Sequence, residues 1–359
     1  MSVDIFDGFF LGKKILVTGH TGFKGSWLSI WLHMLGAEVI GVGLEPHSKR
    51  DNFVLSGIGA KIKADIRADI RDGKKIMEIF AECQPEIVFH LAAQPLVRLS
   101  YEQPVETYQT NVMGTINVME AIRATKSVKV CVMITTDKCY DNKEQIKGYI
   151  ETDPFGGYDP YSSSKGACEI AIQSWRRSFF NPNDYVKKHT VSIASVRAGN
   201  VIGGGDWALD RIIPDCIRAL EAGKPIEIRS PKAVRPWQHV LEPLSGYMML
   251  AQKMWENPTE YCEGWNFGPE AESVLTVWEV ASTIIDNFGF GELKDVSATN
   301  ALHESKLLML NIEKAKTRLG WKPRLNAKQC AVLTSDWYKR YMTDNVYDLC
   351  FEEVEKFLG

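Results

Sequence analysis

The stretch that decides the fold is Lys13-Lys14-Ile15-Leu16-Val17-Thr18-Gly19-His20-Thr21-Gly22-Phe23-Lys24-Gly25, an apolar run that passes directly into a glycine-rich turn. Residues 26–35 follow with the periodicity of an amphipathic helix. A strand, a glycine turn and a helix in this order predict a phosphate-binding turn, because small residues let backbone N–H groups approach a pyrophosphate at the positive end of the helix. The spacing is Gly-x-x-Gly-x-x-Gly, and a tight turn without a ligand is the alternative.

The bulk properties of the chain limit the class of protein. Its 359 residues exceed one comfortable core, so two lobes are expected. A net charge of −3 without a basic run argues against nucleic acid or anionic lipid as a partner. The sequence contains no apolar stretch of membrane-spanning length, no secretory signal and no metal-ligand cluster, and its eight cysteines are scattered. We therefore expect a cytoplasmic protein with free core cysteines and no metal.

The second apolar run, residues 38–43, ends without the carboxylate that usually binds the ribose hydroxyls of NAD. Glu45 is the first acid after it. Lys49 and Arg50 follow in a polar loop and would suit a 2′-phosphate instead. The balance of these residues favours NAD and leaves NADP open.

The sequence Ala-Asp-Ile-Arg occurs twice, at residues 64–67 and 68–71. One copy is expected to follow the third strand and to offer a carboxylate and an apolar side chain to an adenine ring. Spacing to the next strand favours Asp69 and Ile70, with Asp65 and Ile66 as the alternative. A solvated acidic turn without a ligand is equally consistent with the sequence.

The alternation of strands and helices continues to residue 197. Glu86 to Gln94 reads as a fourth buried strand that runs into small residues, and these let a flat ligand lie against the backbone. His90 within it is expected to be a satisfied core histidine. The later predicted segments are a helix over residues 105–123 and strands over residues 128–136 and 190–197. The whole pattern predicts an α/β fold with a parallel, doubly wound sheet.

Asp159-Pro160-Tyr161-Ser162-Ser163-Ser164-Lys165 has the sequence of a helix start. Asp suits the cap and Pro suits the first helical position, so Tyr161 falls in the first turn. Residues four apart share a helix face, so Lys165 lies beside the phenol, where an ammonium lowers a pKa of ~10 toward that of a general base. A surface Tyr and Lys on an ordinary helix is the alternative for this pattern alone.

These motifs occur in an order that resembles the extended short-chain dehydrogenase/reductase family. The order is the glycine turn, His90-Leu91-Ala92-Ala93, Thr136 and then the Tyr161 helix. Within that family the chain is most similar to the nucleotide-sugar 4,6-dehydratases, over residues 10 to 340. Thr135–Tyr140 and Arg235–Val240 are most similar to the members that act on CDP-glucose.

The resemblance implies an NAD-dependent hydro-lyase that serves deoxysugar synthesis for a bacterial surface polysaccharide. We expect a Rossmann-like NAD-binding domain over residues 10–200, a smaller α/β lobe for the sugar nucleotide over 201–345 and a C-terminal helix over 346–359. Residues 265–269 read as framework of the lobe. The resemblance also implies a homodimer, formed through the helices that begin near Val105 and Pro160.

The resemblance further implies roles for single residues. Tyr161 would be the base on the sugar 4-hydroxyl, Lys165 would hold the nicotinamide ribose, and Thr136 would hydrogen-bond the substrate. Asp137 would be the acid toward the 6-hydroxyl, and Lys138 stands where many sugar dehydratases carry a Glu as the base at C5. The implied cofactor-binding residues are Gly19, His20, Thr21, Gly22, Phe23, Lys24, Gly25, Asp69, Ile70, Leu91, Ala92, Ala93, Tyr161 and Lys165. The implied substrate-binding residues are Gln94, Asn200, Arg211, Arg235 and His303.

Three features depart from the common pattern or leave rival interpretations. His20 replaces a small residue of the turn and the ribose acid is missing, which weakens the expectation of tight cofactor binding. Lys138 acts as a base only if burial or a cation such as Lys165 lowers its pKa from ~10.4, and an exposed Asp137–Lys138 ion pair is the alternative. The rivals are a nucleotide-sugar 4-epimerase, a dehydratase for a dTDP- or GDP-sugar, and a non-catalytic dinucleotide-sensing scaffold.

Overall fold

The computed structural model describes residues 4–145, 147–297 and 308–359, and its centre is a seven-stranded parallel sheet. The strands of these residues are β1 Lys14–Thr18, β2 Glu38–Gly43, β3 Ala64–Arg67, β4 Ile87–His90, β5 Val130–Ile134, β6 Ser192–Ala198, β7 Val201–Ile202, β8 Ile226–Ile228, β9 Val234–Arg235, β10 Gln238–His239, β11 Gly264–Phe267, β12 Leu275–Thr276 and β13 Leu293–Asp295. The helices are α1 Phe23–Met34, α2 Asn52–Ser56, α3 Gly73–Cys83, α4 Val97–Glu102, α5 Pro104–Tyr108, α6 Gly114–Ala124, α7 Pro160–Ser178, α8 Ile212–Glu221, α9 Leu241–Glu256, α10 Val277–Phe288, α11 Ala327–Arg340 and α12 Val346–Leu358.

The strand order of the sheet is β11-β6-β5-β4-β1-β2-β3, and every neighbouring pair is parallel. The chain first builds outward from β1 to β3 and then returns to place β4 on the other side of β1. This reversal creates a crevice at the carboxyl ends of β1 and β4, where ligands bind in open α/β sheets. The predicted doubly wound α/β fold is confirmed.

Both faces of the sheet are covered at its centre, which explains why β1, β4 and β5 are apolar runs. In β1, Ile15 and Val17 belong to one apolar core and Leu16 belongs to the core on the opposite face. Successive strand residues point to opposite faces, so a strand that is buried on both sides must be apolar throughout. The result is a rigid platform whose carboxyl edge carries the polar residues of the predicted site.

Two predicted segments differ from the structure. Residues 265–269 are not lobe framework alone, because β11 pairs with β6 and forms the edge of the central sheet. The long helix predicted over residues 105–123 contains a π-helical segment, Gln109–Met113, between α5 and α6. A π segment adds a residue to a turn and is frequent at functional sites, and this one carries Asn111, whose side chain meets the loop after β4.

The smaller lobe is built from short two-stranded pairings and the helices around them. β7 pairs with β10, β8 with β13, and β9 with β12. The C-terminal helix α12 returns to the first half of the chain, where Phe357 lies edge-on to Trp31 with ring centroids 6.0 Å apart. All eight cysteines are free thiols, as predicted. Among the described residues, no helix is both long and apolar enough to span a bilayer.

Candidate active site

The start of α7 has the local structure that its sequence predicts. The Asp159 carboxylate accepts a hydrogen bond from the backbone N–H of Ser162 at 2.9 Å, and Pro160 occupies the first helical position. Tyr161 is therefore in the first turn, and both Tyr161 and Lys165 are buried. The ammonium of Lys165 donates to the carbonyl of Ile134 at 3.4 Å, which ties the helix to the end of β5.

The electrostatics of Tyr161 differ from the prediction. Burial raises the pKa of its phenol above the usual value, and a hydrogen bond with Thr136 and the charge of Arg211 act in the opposite direction. Burial also lowers the pKa of the Lys165 ammonium. The lowered phenol pKa predicted from the Tyr161–Lys165 spacing is therefore wrong for these residues alone, since dehydration of the phenolate outweighs the nearby cations.

The turn after β5 brings the next three predicted residues to the same crevice. Thr136 caps the turn, accepts from the backbone N–H of Lys138 at 3.4 Å and donates to Asp137 Oδ1 at 2.9 Å. The Lys138 ammonium lies 3.4 Å from the same oxygen. The Asp137 side chain is 2% exposed and that of Lys138 is 36% exposed, so the two residues form the ion pair of the alternative, with its acid buried and only the lysine partly exposed. Asp137 also faces a cleft that Pro236 and Gln238 line from the lobe.

The glycine turn forms a close-fitting connection between β1 and α1. Gly19 has φ +74°, and a Cβ on Gly25 would lie 2.1 Å from the Gly19 carbonyl oxygen. No side chain caps the N-terminus of α1, and its first turn carries no acid. Free N–H groups at the positive end of a helix fit a diphosphate, so the turn suits the dinucleotide that the sequence predicts. Thr18 accepts from the N–H groups of Leu91 and Ala92, which fixes the end of β4 beside the turn.

Lys24 contributes an unexpected charge to the crevice. Burial and the charges of Arg211, Lys165 and Lys138 lower the pKa of its ammonium to about 7, while Asp137 acts to raise it. Its ammonium is thus within electrostatic range of the predicted catalytic residues, although the sequence predicts it only as part of the cofactor turn. The sequence signal for this charge is the position of Lys24 within the glycine turn.

The residues at the predicted adenosine end are arranged differently from the sequence-based expectation. The Asp69-Ile70 copy follows β3 as favoured, and Ile70 is buried while Asp69 pairs with Arg71 at 2.6 Å. The other copy forms β3 itself. Arg50 does not face a 2′-phosphate, because its guanidinium stacks 3.5 Å from the ring of Trp207.

The predicted substrate-binding residues occupy diverse positions. The side-chain amide of Gln94 donates to the carbonyl of Leu96 and to the hydroxyl of Thr107. Asn200 adopts the left-handed conformation with φ 50°, in the two-residue connection between β6 and β7. Arg211 is paired with Asp206 at 2.6 Å.

Arg235 and His303 are the remaining predicted substrate-binding residues. Arg235 lies in β9, next to the cleft residue Pro236. His303 lies outside the described residues. His90, predicted to be a core residue, is satisfied by Thr18 at 2.8 Å and Thr115 at 3.0 Å. These bonds and its burial confirm that prediction.

Comparison with known proteins identifies the family. A sequence model described as GDP-mannose 4,6 dehydratase matches residues 16–333. The chain belongs to this dehydratase family. It is 47% identical over 352 residues to the CDP-glucose 4,6-dehydratase of Salmonella typhimurium, covering 98% of both chains. It is also 24% identical to the dTDP-glucose 4,6-dehydratase of Xanthomonas campestris, covering 90% of this chain and 92% of the relative. The predicted resemblance to nucleotide-sugar 4,6-dehydratases is confirmed.

Solved structures show how widely the fold of this dehydratase is shared. The dTDP-glucose 4,6-dehydratase of Bacillus anthracis in complex with NAD is 21% identical, with a TM-score of 0.75 and coverage of 94% of this chain and 100% of that one. The epimerase Mth375 of Methanothermobacter thermautotrophicus is 21% identical, with a TM-score of 0.79 and coverage of 98% and 97%. Dehydratases and an epimerase therefore have the same fold, and the site residues must distinguish their reactions.

A buried ion pair supports the site of this dehydratase from behind, and sequence analysis missed it. Arg197 of β6 and Glu169 of α7 are fully buried and lie 2.8 Å apart. Glu169 also accepts from Thr135, and Arg197 also donates to Tyr140, so the pair holds both ends of the turn that carries residues 136–138. Buried charges occur almost only where they are paired. An arginine inside the sixth apolar run was the available signal.

Proposed function

We propose that this protein is an NAD-dependent CDP-glucose 4,6-dehydratase that forms CDP-4-keto-6-deoxyglucose. The observation that carries the proposal is the Asp137–Lys138 pair, which lies near Tyr161 in one crevice and would supply an acid and a base in addition to the hydroxyl-binding residues. The 47% identity to the CDP-glucose enzyme supports CDP-glucose as the substrate. The product would feed deoxysugar synthesis for a surface polysaccharide such as the O-antigen of lipopolysaccharide, and the enzyme would act in the cytoplasm.

NAD, when bound, supplies the acceptor of the hydride from C4, the donor that returns it to C6 and, in its oxidised form, a positive charge. The residues that would hold its diphosphate are those of the glycine turn, where the uncapped N-terminus of α1 offers N–H groups. Lys165, buried and fixed at the end of β5, would hold the nicotinamide ribose. Asp69 and Ile70 would contact the adenine.

Tyr161 would begin the reaction by accepting the proton of the sugar 4-hydroxyl as C4 is oxidised to a ketone. Burial raises the pKa of its phenol, so the positive charges that surround the bound substrate must offset this cost. Arg211 and the hydrogen bond with Thr136 already act in that direction. Thr136, which reaches both Tyr161 and Asp137, would hydrogen-bond and orient the hydroxyl.

The C4 ketone makes the proton on C5 acidic, because the carbanion left behind is an enolate. Lys138 would accept this proton, and Asp137 would deliver one to the 6-hydroxyl so that it leaves as water. The proton that Tyr161 takes from the 4-hydroxyl would replace the one that Asp137 gives up, through Thr136, which hydrogen-bonds with both side chains. Lys138 would then return a proton to C5 while C6 is reduced. The net reaction removes one water and leaves the cofactor unchanged.

Arg235 and Arg211 are the proposed diphosphate ligands of the sugar nucleotide, because a planar guanidinium matches phosphate oxygens. A homodimer would form through the surface of α5, the π segment and α7. Large apolar side chains there are exposed, including Val105 at 69%, Met113 at 50% and Ile170 at 60%. An apolar surface of this kind marks an interaction site, and a second copy of the chain is the proposed occupant.

The proposal is tested by incubating the protein with NAD and, separately, CDP-, dTDP-, GDP- and UDP-glucose, and by following 4-keto-6-deoxy product. We expect turnover with CDP-glucose. A C4-epimerised sugar with no loss of water would establish the epimerase alternative, and nucleotide binding without any turnover would establish the scaffold.

Lys138→Met separates the steps of the proposed mechanism. In deuterated water with CDP-glucose, this variant should lose C5 exchange and water release, while reduction of NAD through C4 oxidation persists. Tyr161→Phe is the matched control and should lose both. Normal exchange in Lys138→Met would show that another residue is the base.

A further inference from the structure

The end of β2 is built in an unusual way for a site that binds NAD. The strand ends in Gly43, and Glu45, the first acid after it, projects outward with a 77% exposed side chain. The space beside the strand is taken by His20, whose fully buried ring lies 2.1 Å from the position that a Cβ on Gly41 would occupy. The ribose carboxylate that is absent from β2 must therefore be sought elsewhere.

The neighbouring strand supplies one. Asp65 of β3 lies in register with Gly41, and its Oδ1 is 2.6 Å from His20 Nε2. Since a carboxylate only accepts, His20 donates to it, and the buried ring fixes the direction of the Asp65 side chain. The Asp65 side chain remains 26% exposed, so its carboxylate is held by the protein and is still accessible to a ligand.

The charge balance around Asp65 is negative. Arg67, in register with Gly43 at the strand end, makes a two-point contact with the Asp65 carboxylate. The same guanidinium donates through Nε to Glu45 at 3.1 Å. One cation thus faces two carboxylates. Arg67 is the side chain that would otherwise attract a 2′-phosphate, and each of its three nitrogens already contacts a carboxylate.

We infer that Asp65, held by His20, is the carboxylate that accepts hydrogen bonds from the adenosine ribose of the dinucleotide. By neutralising Arg67, the same carboxylate makes the site select NAD over NADP. The inference rests on the proposed NAD dependence and adds the residue that sets cofactor choice. The sequence does not reveal this acid, because the Asp65–His20 contact joins the glycine turn to β3, 45 residues away. A hydroxyl can donate to the open carboxylate, whereas a phosphate is repelled by it.

The test is direct binding of NAD⁺ and NADP⁺ to the full-length, cofactor-stripped protein, measured by calorimetry. Asp65→Asn leaves Arg67 with Glu45 alone, so NAD⁺ should bind more weakly and NADP⁺ more tightly, shifting the preference about tenfold or more toward NADP⁺. Arg67→Gln leaves the two carboxylates uncompensated and should shift the preference the other way. A residue that only supports the fold would change both affinities together.

The duplicated sequence provides a matched control. Asp69 pairs with Arg71 two residues later, as Asp65 does with Arg67, so Asp69→Asn removes the same charge from the same motif. It should alter the two affinities alike and leave their ratio unchanged. If Asp65→Asn and Asp69→Asn leave the same ratio, or if Arg67→Gln moves it toward NADP⁺, the inference is overturned. If the wild-type protein binds neither dinucleotide, the proposed function itself fails.

Discussion

The buried pair of Glu169 and Arg197 allows a sharp prediction about stability. The guanidinium donates to both carboxylate oxygens, at 2.8 and 3.0 Å, and to the hydroxyl of Tyr140. The carboxylate also accepts from Thr135 and from Ser195 at 2.7 Å. Glu169→Gln keeps the shape but leaves an arginine in the core without a counter-charge. Breaking a buried pair in this way costs ~3–5 kcal/mol, because the remaining charge has lost its solvent and its partner.

The double variant Glu169→Gln with Arg197→Met is the control for this loss of folding stability. Removing both charges leaves no buried ion, so we expect it to be more stable than Glu169→Gln by ~2 kcal/mol or more. Urea unfolding followed by tryptophan fluorescence would measure each free energy, with an unchanged m-value as the sign that the same surface unfolds. A loss below ~1 kcal/mol in Glu169→Gln, or a double variant that costs the sum of the singles, would refute the reasoning.

Acid unfolding offers an independent measurement of the same pair. Burial raises the pKa of the Glu169 carboxyl, but Arg197 and the hydrogen bonds of Thr135 and Ser195 outweigh it and hold this pKa below its usual value. A depressed pKa stabilises the fold above the unfolded pKa of ~4.3, and that stability is lost as the pH falls through the folded pKa. The stability of Glu169→Gln should therefore fall less steeply below about pH 4 than that of the wild type.

Three further predictions concern other residues. Burial raises the pKa of the Glu242 carboxyl to about 7. The stability that this raised pKa contributes is fully present below the unfolded pKa of ~4.3 and is lost as the pH rises through the folded value. Glu242→Gln should thus be more stable than the wild type by up to ~3 kcal/mol at pH 8 and equal near pH 4, and a thermal-melting gap that does not widen with pH would contradict this. Gly25→Ala, with its Cβ 2.1 Å from the Gly19 oxygen, should fold but bind NAD at least ~100-fold more weakly by calorimetry, and an unchanged affinity would show that the turn has another role. Tyr161→Phe should lower kcat ~10²–10⁴-fold with little change in substrate affinity, and near-normal turnover would exclude Tyr161 as the base.

Local signals allowed much of the fold to be predicted. β1, the glycine turn and α1 follow from residues within one short stretch, and the start of α7 follows from Asp159 and Pro160. Caps, turn glycines and apolar periodicity act over a few residues, so a sequence displays them directly. The boundaries of β2 were predicted to the residue for the same reason.

The errors concern properties that depend on contacts between distant segments. β11 escaped prediction because it includes Asn266, a polar residue that is buried only because Tyr140 donates to it and it donates to the carbonyl of Tyr149. The stacking of Arg50 on Trp207 was not predicted, because the residues near Arg50 in the sequence give no sign of it. The raised pKa of Tyr161 depends on how deeply the folded chain encloses the phenol, and spacing along a helix does not reveal this.

The position of β11 limits how this molecule can be divided. The chain leaves the sheet after β6, builds part of the lobe, and returns through α9 to add β11 beside β6 before it continues. A protein cut at residue 200 would lose β11 and leave β6 as an open edge, with a row of unpaired backbone groups. Such a fragment would recruit foreign strands and aggregate, so the dinucleotide-binding half is not a transferable module. Grafting it into a chimera would require residues 241–267 to be carried along with the first 200.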